Sequence, residues 1–243
     1  MQTKLAIITG GSKGLGLALV KTYCKKGFQV ITISRSKSSF IHTNLLAKIT
    51  FDLSEIEKLN LLENKLFNLI DVKTIQEVIL INNAGTLGNI KTNENNTIHN
   101  INKTINLNLT APIALTAILT KRFKNTKTSV YNISSGAAIK AYYGWTNYCA
   151  TKAGLALATK TIALEQEKNS TFEIYSIVPG IIDTAMQTEI RKSKKTDFKQ
   201  VERFVQLKED NLLVAPEIVA KKIYNIRGKK YKSGTTINVK DIE

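Results

Sequence analysis

The sequence predicts an α/β protein: a single domain built on one doubly wound parallel sheet of about seven strands, with helices on both faces. Two observations lead to this fold class. A chain of 243 residues, 43% of them hydrophobic, has the size of one such domain and can bury roughly 70–75% of its unfolded surface. Short apolar segments also alternate with segments of helical periodicity, as strands do with crossover helices. Because the sequence contains no internal repeat and no interdomain linker, we expect residues 1–243 to form one domain.

The composition argues against several classes of function. Two cysteines, Cys24 and Cys149, are too few for a disulfide framework or a zinc site. Neither His42 nor His99 lies in a metal-ligand pattern, so no metal is expected. No window approaches the roughly 18 apolar residues of a transmembrane helix, and the first residues do not resemble a leader. We therefore expect a cytoplasmic protein without a membrane partner, in which Cys149 packs rather than reacts.

The formal net charge of +16 raises the question of a nucleic-acid partner. The lysines are scattered over the chain, with only short runs at 191–195 and 227–232. No nucleic-acid module and no basic stretch interleaved with stacking aromatics is present. We therefore expect no specific nucleic-acid binding, although a positive field favours an anionic ligand.

The first strand and helix enclose a glycine-rich turn. The apolar strand Lys4–Thr9 leads into a T-G-x-x-x-G-x-G pattern, after which a helical pattern begins at Leu17. Glycines let the backbone approach a phosphate closely, and the helix N-terminus offers free N–H groups and a positive dipole end. The turn is a candidate phosphate site; a glycine turn without a ligand is the alternative. The candidate residues are Gly10, Ser12, Lys13, Gly14, Leu15 and Gly16.

The second predicted strand, Phe28–Ser34, ends without an acidic residue. In dinucleotide-binding folds a carboxylate near this point accepts the ribose 2′-hydroxyl of NAD. Here Arg35 follows Ser34, and an arginine can hold a 2′-phosphate bidentately. Lys13 in the glycine turn is a second cation. The sequence therefore predicts NADP(H) as the cofactor, with two merely exposed basic residues as the alternative.

The next segments continue the alternation. Residues 49–53 are predicted to form the third strand and residues 53–70 an amphipathic helix, for which Asp52 can serve as the N-cap. Residues 78–81 form a buried strand that ends in Asn82, Asn83, Ala84 and Gly85. The apolar residues of the expected helix share one side, namely Leu59, Leu62, Leu66 and Leu69.

A helix is expected through the asparagine-rich stretch 93–108, because isoleucine and leucine recur there at helical spacing. Asn108 falls inside this helix, where an asparagine is mildly unfavourable and requires a reason. The periodic residues are Ile98, Ile101, Ile105, Leu109 and Ile113.

A candidate proton-transfer site follows the apolar strand 129–133. Tyr148 and Lys152 stand four residues apart on an expected helix, so that the ammonium can lie beneath the phenol. An adjacent cation favours the phenolate and lowers the pKa of the phenol toward the operating pH. Ser135, just after the strand, is placed to supply a hydroxyl to the same reacting oxygen.

The last third of the chain adds two strands and a long connection. Strands are predicted at 172–178 and 233–239, and a helix at 217–226. Residues 185–212 are basic, amphipathic and longer than a loop should be, so they are a candidate substrate lid. We interpret the run 191–195 as the solvated face of this lid.

Taken together, these motifs resemble those of the short-chain dehydrogenases/reductases over 9–241. The shared features are the glycine spacing, the NNAG quartet, a serine thirteen residues before the tyrosine of Tyr-x-x-x-Lys, and a Pro-Gly segment. Within this family the chain is most similar to the sepiapterin-reductase-like branch and its bacterial benzil reductases, because of the segments GWTNYCATKAG, IALEQ and PGIIDTAMQ. Ala185 departs from that group, which more often has an acidic residue at this position. The resemblance implies a Rossmann-type fold, a cofactor half at about 1–130 and a catalytic half at about 131–243.

The resemblance also implies roles for individual residues. Tyr148 would donate a proton, Ser135 steady the oxyanion, Lys152 hold the nicotinamide ribose, and Asn108 hold a water of the proton relay. Asp52 and Leu53 would border the adenine. The cofactor residues implied in all are Gly10, Ser12, Lys13, Gly14, Leu15, Gly16, Ser34, Arg35, Asp52, Leu53, Asn83, Ala84, Gly85, Asn108, Tyr148, Lys152, Pro179, Gly180, Ile182 and Thr184.

The expected reaction is reversible reduction of a small-molecule carbonyl compound. Tyr142, Tyr143 and Trp145 are either aromatic walls of the substrate pocket or residues of core packing or of a subunit contact. Ser135, Tyr148 and Met186 complete the expected substrate contacts. A 3-oxoacyl carrier-protein reductase and a non-catalytic NADP-binding sensor are the alternatives. The resemblance further implies a homodimer or homotetramer.

Overall fold

The computed structural model describes residues 3–242, and within them one seven-stranded parallel sheet forms the centre of the molecule. The strand order is β3-β2-β1-β4-β5-β6-β7, so the winding direction reverses between β1 and β4. This confirms the predicted doubly wound fold and creates a crevice at the carboxyl ends of these two strands. The strands are β1 (Thr3–Thr9), β2 (Gln29–Ser34), β3 (Leu45–Thr50), β4 (Ile75–Asn82), β5 (Lys127–Ile133), β6 (Phe172–Val178) and β7 (Thr236–Asn238).

Eight α-helices are present in residues 3–242, and they cover both faces of the sheet. Side chains alternate along each strand, so that in β1 Ala6 and Ile8 pack against α1 and α8, while Leu5 and Ile7 join the core beneath α2 and α4. The helices are α1 (Gly14–Lys25), α2 (Leu59–Phe67), α3 (Ile98–Ile105), α4 (Ala111–Arg122), α5 (Thr146–Glu165), α6 (Ala185–Arg191), α7 (Val201–Glu209) and α8 (Pro216–Tyr224).

The segment around Asp52 differs from the prediction. The strand ends at Thr50 and α2 begins only at Leu59, so Asp52 is not the N-cap of that helix. Its carboxylate instead accepts hydrogen bonds from the backbone N–H and the hydroxyl of Ser54, at 2.9 and 2.7 Å, and closes a turn. Because α2 also stops at Phe67, Leu69 leaves the apolar face and is 43% exposed.

The predicted helix through the asparagine-rich stretch is interrupted. α3 and α4 are joined by a π-helical turn at Asn106–Thr110, which contains Asn108. Turns of this kind are often found at functional sites. Elsewhere the differences are small: β4 is longer than predicted, and β7 keeps only three of the seven predicted residues.

The lid segment folds into α6 and α7, which pack over the end of α5. Trp145 and Tyr148 from α5 and its N-cap share a separate apolar cluster with Phe198 and Phe204 from the lid. Lys192, Lys194 and Lys195 are exposed, in agreement with the prediction of a solvated basic face. Over residues 3–242, no helix is both long and apolar enough to cross a membrane.

Candidate active site

A cleft of about 1200 Å³ opens at the carboxyl edge of the sheet, where the strand order reverses. It runs from the glycine turn after β1, past the ends of β2, β4, β5 and β6, to the lid. Every cofactor residue expected from the sequence lines it except Asn108, and all five expected substrate residues line its far end. The fold therefore brings together almost the whole predicted site.

The glycine turn has the shape that a phosphate site requires. Gly10 and Gly14 have φ of +69° and +53°, and a Cβ on Gly16 would lie 2.0 Å from the carbonyl oxygen of Gly10. α1 begins after Lys13 with no side-chain cap and no acidic residue in its first turn, so no side chain of the helix competes for its N-terminal N–H groups. An anion can therefore use them.

The NNAG quartet fixes this turn to the neighbouring strand. The side-chain amide of Asn83 donates to the carbonyl oxygen of Thr9 at 2.9 Å. In return the Thr9 hydroxyl accepts the backbone N–H groups of Asn83 and Ala84, both at 2.9 Å. The two strand ends that border the crevice are thus held in one position.

Two cations lie at the mouth of the cleft beside the end of β2. Lys13 is exposed, and the Arg35 side chain is 60% exposed with its Nη1 3.9 Å from a carboxylate oxygen of Asp52. Partial burial acts to raise the pKa of Asp52, but the hydrogen bonds from Ser54 and the charge of Arg35 outweigh it and lower that pKa. Asp52 therefore stays ionised and orients the arginine, which the sequence did not indicate.

Tyr148 and Lys152 lie one turn apart on α5 and are both buried, at 7% and 5% exposure. The Lys152 ammonium donates to the carbonyl oxygen of Ile133 at 2.7 Å and lies 5.7 Å from the centre of the Tyr148 ring. Ser135 follows β5, and its hydroxyl accepts the backbone N–H of Ala137 at 3.1 Å. The three predicted groups therefore meet at one wall of the cleft.

Their protonation differs from the prediction. Burial raises the pKa of Tyr148, and the neighbouring Ser135 hydroxyl only partly opposes this. Burial also lowers the pKa of Lys152 to about 8. The expected lowering of the phenol pKa by the lysine is therefore wrong for the polypeptide alone, because the low-dielectric surroundings penalise both charged forms.

Asn108 is buried beside this wall and does not line the cleft. Its side-chain oxygen accepts the backbone N–H of Thr86 at 2.9 Å, and its amide donates to the Thr86 carbonyl at 2.8 Å and to the Thr151 hydroxyl at 3.2 Å. A Cβ on Gly85 would lie within 4 Å of both Asn108 and Lys152. The side chain thus braces the site, and its role in a proton relay stays a prediction.

The aromatic residues before Tyr148 serve two purposes. Trp145 stacks on Phe198 with ring centres 4.7 Å apart and Tyr142 lies against Trp145, yet both also line the cleft. Tyr143 does not line it; its ring lies at the surface under the ammonium of Lys199. The sequence left pocket wall and packing open, and for Trp145 and Tyr142 both hold.

Six lid residues that sequence reasoning did not assign to the site also line the cleft: Ala185, Gln187, Thr188, Ile190, Arg203 and Phe204. Their orientation depends on how α6 and α7 dock, and no motif signals that. Within residues 3–242 no group of three His, Cys, Asp or Glu side chains is placed to hold a metal. Burial raises the pKa of the Cys149 thiol, which packs beside the aromatic cluster rather than serving as an activated nucleophile.

Comparisons with known proteins agree with this geometry. The sequence model described as "short chain dehydrogenase" matches residues 4–195. The chain is 37% identical to a benzil reductase ((S)-benzoin forming) of Bacillus subtilis, over 98% of this chain and 99% of the relative. It is 28% identical to sepiapterin reductase of Bos taurus, over 98% and 94%. The crystal structure of the KRED1-Pglu enzyme superposes with a TM-score of 0.82 at 25% identity, over 97% and 100%.

Proposed function

The chain belongs to the short-chain dehydrogenase family of oxidoreductases, and we propose that it is an NADPH-dependent carbonyl reductase that acts on ketones and aromatic 1,2-diketones. The reduction of benzil to (S)-benzoin is the type reaction. The observation that carries this proposal is the meeting of Ser135, Tyr148 and Lys152 at the wall of a cleft that begins at a glycine turn. A bound nicotinamide cofactor would supply the hydride.

The residues of the chain supply the proton and hold the reacting oxygen. Tyr148 is protonated at neutral pH because burial raises its pKa, so its hydroxyl donates the proton to the carbonyl oxygen. Ser135 donates a hydrogen bond to the same oxygen as negative charge develops on it. The Lys152 ammonium stabilises the phenolate left behind and holds the ribose, and Ile133 fixes its position.

The cations beside β2 support the preference for NADPH. A 2′-phosphate would meet Arg35 and Lys13, whereas no carboxylate follows β2 directly to accept a ribose hydroxyl. Asp52 is occupied by Ser54 and by Arg35. Both cations are exposed, so each contributes a modest part of the binding free energy.

The walls of the substrate end support an aromatic substrate. Leu87, Trp145, Met186 and Phe204 line it, and they form an apolar surface close to Tyr148. The similarity to the benzil reductase of Bacillus subtilis, which extends over 98% of this chain, supports a diketone as the substrate.

We also propose that the protein is a homo-oligomer, a dimer or a tetramer. Large apolar side chains lie on the outer faces of α3, α4 and α5, with Ile98, Leu157 and Leu164 at 77, 66 and 70% exposure. Apolar surface of this kind favours association. Light scattering coupled to size-exclusion chromatography tests this, with a paired Leu157→Lys and Leu164→Lys variant expected to be monomeric; an unchanged mass would contradict it.

The function is tested by steady-state oxidation of NADPH, with NADH in parallel. The carbonyl compounds are benzil, 1-phenyl-1,2-propanedione, sepiapterin and an acetoacetyl thioester. Turnover of the aromatic diketones with a preference for NADPH is expected. Turnover of the thioester alone would favour a carrier-protein reductase, for which the basic surface is suited, and NADPH binding without turnover would favour a sensor.

A further inference from the structure

One cation of the cleft has no role in the reaction proposed above. Lys13 and Arg35 lie at the cofactor mouth and Lys152 lies beside the reacting tyrosine, whereas Arg203 lines the cleft from α7. Arg203 is exposed and makes no ion pair with a carboxylate in residues 3–242. A guanidinium at the wall of a ligand pocket can bind a carboxylate or a phosphate through two parallel hydrogen bonds.

Phe204 connects Arg203 to the substrate end of the cleft. The guanidinium carbon of Arg203 lies 5.8 Å from the centre of the Phe204 ring. The ring centre of Trp145 lies 5.7 Å from that of Phe204 and 5.5 Å from that of Tyr148. All four residues line the cleft. The cation therefore borders the apolar pocket in which the substrate carbonyl meets Tyr148.

A hydrogen-bond donor without an acceptor lies in the same pocket. Trp145 is 5% exposed, and its indole N–H is buried with no hydrogen-bond partner in residues 3–242. An indole nitrogen can only donate. A buried donor without an acceptor costs free energy, which an oxygen atom of a ligand can recover. Trp145 and Arg203 are thus two donors that both suit an oxygen-bearing anion.

No unpaired carboxylate opposes an anion at this end of the cleft within residues 3–242. Only two acidic residues in that range line the cleft. Asp52 lies at the cofactor mouth and accepts hydrogen bonds from Ser54, and Asp183 accepts a hydrogen bond from Lys208 at 2.7 Å. The formal net charge of +16 adds to the attraction of an anionic substrate.

We propose that the enzyme also reduces aromatic 2-oxo acids, and that Arg203 and Trp145 together bind the substrate carboxylate. Because Trp145 lies beside Tyr148, the anion belongs next to the carbonyl that is reduced, as it does in a 2-oxo acid. This inference rests on the proposed function, since a 2-oxo acid is a 1,2-dicarbonyl compound with a carboxylate in place of the second ketone.

The bond changes are those of the proposed carbonyl reduction. Hydride from NADPH forms the new C–H bond at the keto carbon while the π bond of the carbonyl breaks. The proton of Tyr148 forms the O–H bond, and the phenolate regains a proton from solvent. The products are a 2-hydroxy acid and NADP⁺, and the carboxylate itself is unchanged.

The test uses two compounds that differ at one position. Phenylglyoxylate carries a carboxylate oxygen where 1-phenyl-1,2-propanedione carries a methyl group. Arg203→Met removes the charge and keeps a long side chain, and Trp145→Phe keeps an aromatic wall without the N–H. Lys194→Met is the matched control, because Lys194 is an exposed lid cation that does not line the cleft. The kcat/KM for each compound at saturating NADPH is measured together with Tm.

The ratio of kcat/KM for phenylglyoxylate to that for the diketone is expected to fall about 10-fold in Arg203→Met. It should fall about threefold in Trp145→Phe, because hydrogen bonds to a charged oxygen are stronger than those to a neutral one. Lys194→Met should change the ratio by less than about twofold. An unchanged ratio in either Arg203→Met or Trp145→Phe would overturn the inference, as would a lower Tm with equal losses on both compounds.

The wild type separates this inference from the proposed function. Turnover of both compounds, with the lower KM for phenylglyoxylate, is expected. A wild type that reduces the diketone and not phenylglyoxylate would overturn the inference alone. A wild type that reduces neither compound would overturn the proposed function and the inference with it.

Discussion

Two cations, the buried Lys152 and the partly buried Arg227, lie at opposite ends of the strands of the sheet and have opposite environments. Arg227 follows α8 and donates three hydrogen bonds of 2.5–2.9 Å to Glu77 near the start of β4. Lys152 has no carboxylate partner among residues 3–242 and donates to one backbone carbonyl. A paired charge holds the fold together, whereas an unpaired one is available for chemistry.

The pKa values follow the same division. Burial acts to lower the pKa of Arg227, but the hydrogen bonds and the charge of Glu77 outweigh it and raise that pKa. Lys152 has nothing comparable, so burial lowers its pKa to about 8. Strongly perturbed groups without a compensating partner are typical of functional sites. The contrast between the two cations therefore identifies the end of the sheet that carries Lys152 as the reactive one.

The largest expected effect is that of the phenol. Tyr148→Phe should lower kcat/KM for diketone reduction by about 10²–10⁴-fold, because it removes the proton donor. The matched control is Tyr131→Phe, since Tyr131 is a second buried tyrosine, and its hydroxyl makes no hydrogen bond within residues 3–242. That variant should keep its activity. Both activities are measured by NADPH oxidation. Equal losses of kcat/KM in the two variants would contradict a specific role for Tyr148 as the proton donor.

The second prediction concerns the ion pair between Arg227 and Glu77. Arg227→Met leaves Glu77 buried and unpaired, so it should lower the free energy of unfolding by about 3 kcal/mol, the low end for a buried pair because Arg227 remains 20% exposed. For a chain of this size that corresponds to a fall in Tm of about 6–12 °C. Arg122→Met breaks the surface pair with Glu63 and should cost less than about 1 kcal/mol. Thermal unfolding of both variants measures these shifts in Tm. Similar falls in Tm for the two variants would show that the Arg227–Glu77 pair stabilises the fold no more than a surface pair does.

The third prediction is a pH dependence of the reduction. Lys152 has a pKa of about 8, so its ammonium is present below that pH and is lost above it. The kcat/KM for reduction should be level near pH 7 and fall by up to about 10-fold per pH unit above pH 8. In Lys152→Arg the cation persists and the fall should move to higher pH. A profile that stays level to pH 10 would contradict a role for the ammonium.

The smallest effect is expected at the mouth of the cleft. Arg35→Leu should raise the dissociation constant for NADPH about 10-fold and change that for NADH little, since Arg35 is exposed and only one of two cations. Lys37→Leu removes an exposed charge of the same strand end that does not line the cleft. Titration of cofactor fluorescence measures both. A loss of NADH affinity as large as that of NADPH would refute the 2′-phosphate assignment.

The sequence was most informative where local chemistry has few solutions. The alternation of strand and helix patterns predicts the sheet, and the glycine spacing predicts the turn that follows β1. The spacing of Ser135, Tyr148 and Lys152 predicts that these three residues meet at one wall of the cleft. What the sequence did not predict depends on tertiary contacts. Asp52 caps a turn because Ser54 supplies two donors, and the π-helical turn at Asn108 breaks an otherwise regular periodicity.

The pKa values of Tyr148 and Lys152 on α5 could not be predicted from the sequence either. Spacing places Lys152 one turn from Tyr148, but it does not reveal that both are more than 90% buried. Burial changes the sign of the expected shift of the phenol pKa. The position of Gln187 depends in the same way on how the lid helices dock.

Stability and activity measured together on Lys152→Met and Arg227→Met test the central contrast most directly. The Lys152 pKa of about 8 lies below its ordinary value of 10.5, so the unfolded chain binds that proton more tightly. The resulting cost, on the order of 3 kcal/mol, is fully present below pH 8 and disappears as the pH rises toward 10.5.

At pH 7, Lys152→Met should therefore keep or raise Tm while losing reduction of 1-phenyl-1,2-propanedione, and Arg227→Met should lower Tm while keeping activity at low temperature. If Lys152→Met lowers Tm as much as Arg227→Met does, or if it remains active, the unpaired lysine is not the reactive charge of this fold and the account fails.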